Sequence, residues 1–390
     1  MSATLGLYIH IPFCRSKCAY CDFYSLAGRE ARMDDYQRAL LAHLKMAAPS
    51  AAAYTVDTVY FGGGTPSFYG GGRLIELLRC VREHFRLAND VEITLEANPD
   101  SVDEEMLRRL RRAGFDRISL GVQSADDRTL SSIGRPHTFA QARAAVEAAR
   151  AAGFENLSLD LIYGLPGQSA EGWQDTVEQA LALAPEHISA YGLKVEEGTP
   201  LSARVARGER IPDDDMQADC YLWTVERLAQ AGYGQYEISN FAKEGRLSRH
   251  NWRYWMTQPY MGFGPGAHSD FGGRRYSFVR DLEDYIRGVL AGGPIVDEDG
   301  KNPPSERAAE YLMLRLRTSR GIEEGEYRRD YRMSFAPLER RLLEYEGHGL
   351  ARREGGRWRL TPRGFLVSNA IIGSLLELSQ PLTGEVSAPF

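Results

Sequence analysis

Tyr8-Ile9-His10-Ile11-Pro12-Phe13-Cys14-Arg15-Ser16-Lys17-Cys18-Ala19-Tyr20-Cys21-Asp22-Phe23 decides how the rest of the chain is read. It opens as a β-rich run, breaks at Pro12, and then places three of the chain's five cysteines at the spacing C-x3-C-x2-C. Soft thiolate ligands so close together favour iron–sulfur, zinc or Cu(I). Zinc wants four ligands, and His10 is the one candidate for the fourth. An ordinary [4Fe–4S] cluster also wants four cysteines. Cys80 and Cys220 fall inside helical patterns far away, where they read as small core residues. Three thiolates without a fourth suggest a cluster with one iron open to an outside ligand.

Outward from this loop, the chain alternates. Runs at 5–11, 56–61, 91–97, 117–122, 157–162 and 187–193 read as strands, with helices between them at 34–47, 73–86, 103–113, 139–152 and 170–183. Such alternation predicts a parallel sheet with helices outside and right-handed crossovers. The residues with chemistry to offer fall at the C-terminal ends of the strands, where such sheets keep their sites. The first of these ends is the cysteine loop. Gly62-Gly63-Gly64-Thr65-Pro66 follows the second strand, and its glycines serve either a close backbone approach to a ligand or a plain strand-to-helix turn. Glu96 ends the third strand, and Gln123 and Arg135 follow the fourth. Asp160 sits within an almost wholly apolar fifth strand, where a carboxylate must be paired or hydrogen-bonded. It reads as a ribose or cation binder or as half of a buried ion pair.

Past residue 200 the pattern changes. A long amphipathic helix is expected at 213–231, a strand at 236–241, and a Gly- and aromatic-rich stretch at 249–278 containing His250-Asn251-Trp252-Arg253-Tyr254-Trp255. Residues 292–304 read as a linker. Beyond it, helices at 305–317 and 336–347, a hairpin turning at Gly355-Gly356 and a helix after Pro362 resemble a winged helix. Three domains are expected, at 1–200, 201–300 and 301–390. The Arg352, Arg353, Arg357 and Arg359 strip would suit DNA, but a bracing domain is the preferred reading, because a fold alone establishes no function. A net charge of −6 gives no reason to expect nucleic acid as a partner. No run of 18 apolar residues offers a membrane span. Five cysteines, three of them clustered, fit a reducing cytoplasm better than a disulfide framework.

The cysteine motif with Tyr20 inside it resembles the radical S-adenosylmethionine (SAM) superfamily. The order Tyr-Ile-His-Ile-Pro-Phe-Cys, Gly-Gly-Gly-Thr-Pro, Ser-Leu-Gly-Val-Gln-Ser, Asp-Leu-Ile-Tyr-Gly-Leu-Pro resembles its anaerobic coproporphyrinogen oxidase (HemN-like) branch along nearly the whole chain. The resemblance implies an α/β fold, a (βα)6 partial TIM barrel, followed by an α+β winged-helix-like domain. It implies a [4Fe–4S] cluster on Cys14, Cys18 and Cys21, with SAM on the open iron. It further implies SAM contacts from Tyr8, Tyr20, Gly63, Gly64, Thr65, Glu96, Gln123, Arg135, Asp160 and Lys194. One position departs: the oxidases carry a further cysteine two residues past the third, and here Phe23 stands there. That departure, and His250-Asn251-x2-Tyr254-Trp255, resemble the haem-chaperone (HemW-like) subfamily.

From residue types alone, His250 reads as a satisfied loop histidine with Tyr254 and Trp255 packed on the barrel. The resemblance instead implies haem, with His250 as ligand and the two aromatics as a flat surface for the macrocycle. His268 carries less weight, and His10 reads as support for the cluster. The partners implied are haem, a respiratory haem protein (membrane-associated or not) as recipient, a one-electron donor, and a second copy of the chain. The rival expectation is oxygen-independent coproporphyrinogen III oxidation to protoporphyrinogen IX. A third is an enzyme that opens or methylates the tetrapyrrole ring.

Overall fold

The computed structural model describes residues 3–382. Six parallel strands form its centre: β1 (Thr4–Ile11), β2 (Thr55–Gly63), β3 (Leu87–Ala97), β4 (Arg117–Gln123), β5 (Asn156–Tyr163) and β6 (His187–Gly192). They are hydrogen-bonded in chain order, as the alternation predicts, with helices at Met33–Ala47, Gly71–His84, Glu104–Ala113, Phe139–Ala151 and Ala170–Ala182 between them. One face of each strand is apolar. Leu7 and Ile9, Val59 and Phe61, Ile93 and Leu95, Ile118 and Leu120, Leu157 and Leu159 are all buried in one continuous core with the helices. Each such side chain contributes about 1.5–3 kcal/mol on burial.

The other face is polar. Tyr8 and His10, Thr58 and Tyr60, Glu92 and Glu96, Arg117 and Ser119, Ser158 and Asp160, His187 and Ser189 occupy the alternate positions. A fully packed parallel barrel would bury apolar side chains on both faces of its strands. Here the interior is instead a cavity of about 680 Å³.

The sheet runs further than six strands. Tyr260–Phe263 adds a seventh parallel strand against β1, extended by antiparallel strands at His268–Phe271, Arg274–Phe278 and Val296–Lys301. At the other edge, Asn240–Ala242 pairs antiparallel with β6. The stretch at 249–278, marked in the sequence only by its Gly and aromatic content, thus supplies a helix and three strands. Residues 292–304, read as a linker, contain an edge strand. Both departures have one cause: these segments are stabilised by ladder hydrogen bonds to distant strands, which local composition does not display.

The C-terminal part has its own core around Tyr311, Tyr327, Leu338, Leu342 and Trp358. Helix Asp214–Gln230 joins the two cores, with Cys220 and Leu228 in the first and Tyr221 in the second. Asp270, on the extended sheet, receives Arg307 from the first C-terminal helix, Nη2 to Oδ1 at 2.5 Å. The expected hairpin forms at Ala351–Glu354 and Arg357–Leu360. Its arginines are neutralised within the domain. Arg353 pairs with Glu339, Arg357 with Glu323 and Glu326, and Arg352 and Arg359 with Glu354. A strip so paired offers little charge to a phosphate backbone and supports the bracing role. Among the described residues, no helix is long and apolar enough to cross a membrane.

Candidate functional site

The cysteine loop crosses the C-terminal mouth of the barrel, and Cys14, Cys18 and Cys21 all line the cavity. The Gly-Gly-Gly-Thr-Pro loop is laced to it through the backbone: Gly64 N–H donates to Ile11 O and Thr65 N–H to Phe13 O, both at 2.8 Å. A Cβ on Gly64 would lie 2.8 Å from Phe13 O and 3.0 Å from the Cys14 sulfur, so only glycine fits. Gly63 has φ +117, a conformation costly for any side chain, and its N–H donates to Glu96 Oε2 at 3.1 Å.

Thr65 Oγ1 lies 3.3 Å from the Cys14 sulfur, and Arg135 Nη1 donates to Cys18 at 3.5 Å. Burial raises the Cys14 and Cys21 thiols, partly offset by hydrogen bonds and nearby cations. Three soft donors, beside a buried guanidinium whose Nε has no partner, suit an iron–sulfur cluster and an anionic group on its open iron. His10 does not complete a zinc set. Its Nε2 donates to Tyr24 O at 2.9 Å and its Nδ1 accepts from the Tyr8 hydroxyl at 3.0 Å. Among the described residues no three His, Cys, Asp or Glu side chains are gathered as if on one ion.

Beneath the mouth, the expected SAM residues converge. Tyr8, Tyr20, Gly63, Gly64, Thr65, Glu96, Gln123, Arg135, Asp160 and Lys194 all line the one cavity. Glu96 accepts from Tyr60 at 2.6 Å, yet burial, with Asp160 nearby, raises its pKa to about 7. Asp160 is not half of an ion pair. Ser119 donates to it at 2.9 Å and Ser189 at 2.7 Å, so hydroxyls satisfy the carboxylate that the sequence left open, and burial raises its pKa. Gln123 takes φ +67 at the end of β4, a strained turn that aims the residue back into the barrel. Lys194 stands apart at the rim, its side chain 80% exposed and paired with Glu196 at 2.6 Å.

Sequence reasoning missed Tyr60, Asn98, Arg117 and the serines at 119, 158 and 189. Asn98 ties the site together, accepting from Arg135 at 2.8 Å and donating to Thr65 at 3.2 Å. The available signal was the alternation within each strand, whose polar phase marks the barrel interior.

His250 differs most from its sequence reading. It lies not on a surface loop but on helix Arg249–Trp255, which plugs the floor of the barrel, and it is 1% exposed. Both ring nitrogens are engaged, Nδ1 with Thr58 and Nε2 with Tyr254, each at 2.8 Å. Its ring stacks on Tyr60 at 5.2 Å. Tyr254 lines the cavity whereas Trp255 does not, so the expected two-ring platform is absent from the cavity wall. His268 is exposed and lies outside the cavity.

Five histidines are held neutral by burial, with pKa lowered to about 4 for His10, His43 and His137, to about 3 for His250, and well below the usual value for His187. The unfolded chain protonates them below about 6.5. Stability is therefore expected to fall as pH drops from 6.5 towards 4. Glu96 and Glu237, both raised to about 7, act in the opposite sense, losing stability as pH rises from their unfolded value near 4.5 to 7. Glu92, Asp116 and Asp160 are raised by burial in the same sense as these two, so the histidine contribution is read by comparing melting temperature across that range in wild type and His43→Gln, with wild type expected to lose more towards pH 4. Identical profiles for the two proteins would show that His43 is not buried neutral.

The Radical SAM superfamily model matches residues 8–180, and the HemN C-terminal domain model matches 302–367. Over 376 residues the chain is 40% identical to a Mycobacterium tuberculosis protein named Heme chaperone HemW, covering 95% of this chain and 94% of the relative. The Escherichia coli protein of the same name is 36% identical, with 96% and 97% covered. The solved structure of coproporphyrinogen III oxidase (HemN) from Escherichia coli superposes with a TM-score of 0.83 at 23% identity, covering 95% of this chain and 89% of that one, and thus shares the fold.

Proposed function

This chain belongs to the HemW family of the radical SAM superfamily, and from that premise we propose that it is a haem chaperone, binding haem and passing it to a respiratory haem protein. The observation that carries the reading is the identity with relatives named as haem chaperones, sustained over 95% of the chain. Phe23 supports it. At the position of the oxidases' further cysteine it presents a 68% exposed ring at the cavity mouth, and no thiol.

In this reading the 1–200 barrel carries the cluster and SAM, 201–300 closes the barrel floor, and 301–390 braces both. Cys14, Cys18 and Cys21 hold a [4Fe–4S] cluster. SAM bound at its open iron would supply a one-electron route to a carbon radical. The chain's own residues do the holding. Glu96 and the Gly63–Thr65 loop would receive the amino-acid end of SAM, Asp160 and Gln123 would bind its ribose hydroxyls, and Tyr20 would line the same pocket. Arg135 steadies Cys18 and neutralises nearby negative charge. Lys194 at the rim meets whatever enters. His250 would offer Nε2 to the haem iron in exchange for its bond to Tyr254, while Thr58 on Nδ1 orients the ring. A neutral imidazole is the form that binds iron.

The test is anaerobic. Cluster-reconstituted protein with SAM and a reductant is offered haem and coproporphyrinogen III in parallel. Retention of about one haem per chain without protoporphyrinogen is the expected result. Protoporphyrinogen with CO2 and 5′-deoxyadenosine would make the protein an oxidase that tolerates Phe23.

A further inference from the structure

We propose that Arg117 receives a carboxylate of the ligand held in the lower half of the barrel, and that this carboxylate is a haem propionate. The inference rests on the haem-binding reading above. Arg117 opens β4, faces the cavity and is 2% exposed. Arginine is almost never buried so completely without a partner. Here, among the described residues, its guanidinium makes no hydrogen bond and no ion pair, and its Nε is buried without a partner.

The neighbouring carboxylates are committed elsewhere. Asp160 accepts from Ser119 and Ser189, Glu96 from Tyr60 and Gly63, and Glu92 from the amides of Arg249 and His250. They lend Arg117 a favourable field but satisfy none of its donors. Arg135, the other arginine in the barrel, also has an unpartnered Nε, but its terminal nitrogens are anchored on Asn98, Gly121 and Cys18, whereas no such anchor holds Arg117.

The register gives the depth. Arg117 sits beside Thr94 and Asn156, one inward position below Ser119, which neighbours Glu96 and Ser158. A ligand reaching it therefore extends past the residues proposed for SAM, onto the floor formed with His250. The planar fork of a guanidinium matches a carboxylate through two parallel hydrogen bonds. Haem carries two carboxylates on one edge, and an iron that His250 would meet from the same floor.

The experiment titrates cluster-reconstituted protein with haem and with haem dimethyl ester, in which both carboxylates are masked. Wild type is expected to bind haem about tenfold or more tighter than the ester, the value of a charge-assisted hydrogen bond pair. Arg117→Gln is expected to bring haem down to the ester's affinity and leave the ester unchanged, with Arg117→Lys recovering part of the difference. Equal binding of haem and ester by wild type would overturn this inference while leaving haem binding intact. Binding of neither would overturn the haem reading as well. A parallel SAM titration separates the other carboxylate source: a loss of about tenfold in Arg117→Gln would assign the residue to SAM and overturn the propionate assignment. The ester arm needs no variant, so misfolding of Arg117→Gln would not obscure the answer.

Discussion

Cys14→Ala is expected to abolish the cluster and, with it, SAM binding. Two thiolates hold such a cluster poorly, and Cys14 is the cysteine of the three that packs against the glycine-rich loop. Its sulfur sits 3.3 Å from Thr65 Oγ1 and occupies the space that any Cβ on Gly64 would need. Iron and sulfide content after anaerobic reconstitution, with the visible absorption of the cluster, reads the result directly. The fold should survive, because the loop is held by backbone bonds from Leu26 N to Pro12 O and from Ala19 N to Ile133 O. Intact absorption in this variant would remove the cluster from the three-cysteine motif.

His250→Ala is expected to cost about 2–4 kcal/mol of stability and also to weaken haem binding. The stability term follows from what the ring touches. Removing it strips the Thr58 and Tyr254 hydroxyls of partners inside a buried floor, at about 1–3 kcal/mol for each group left unsatisfied, and leaves a cavity against Tyr60. The denaturation midpoint measures it, and a cost below about 1 kcal/mol would show that the floor relaxes around the gap. Haem loss in this variant alone could reflect the damaged floor. Tyr254→Phe separates the two causes, because it frees Nε2 while keeping the ring packed. It is expected to bind haem at least as tightly as wild type. Loss of haem in Tyr254→Phe would transfer the ligand role from His250 to the tyrosine hydroxyl.

If Glu96 receives the SAM ammonium as a carboxylate, SAM affinity is expected to rise with pH through about 7, where the buried acid ionises. Glu96→Gln should flatten that profile. A pH-independent wild type would assign the ammonium to another acceptor.

The six-strand alternation and the cysteine loop could be read directly, because both are local patterns: a period-two run punctuated by glycine and proline, and ligands a few residues apart. So could Glu96, Gln123, Arg135 and Asp160, each of which falls at or near a strand's C-terminal end. The sequence by itself therefore determined the barrel, the mouth of its site and the residues around that mouth. What lies inside the barrel was decided only by the tertiary structure. Asp160 could be a ribose or cation binder or half of an ion pair until β4 and β6 brought Ser119 and Ser189 against it. His250 looked like a loop residue until its helix folded under β2 and β3, onto Thr58 and Glu92. Arg117 showed in the sequence only as the first residue in the inward-facing phase of β4, with nothing to mark it as short of partners. Its meaning depends on which groups fail to reach it, and a linear pattern records neighbours along the chain, not the acceptors that a closed barrel leaves out of range.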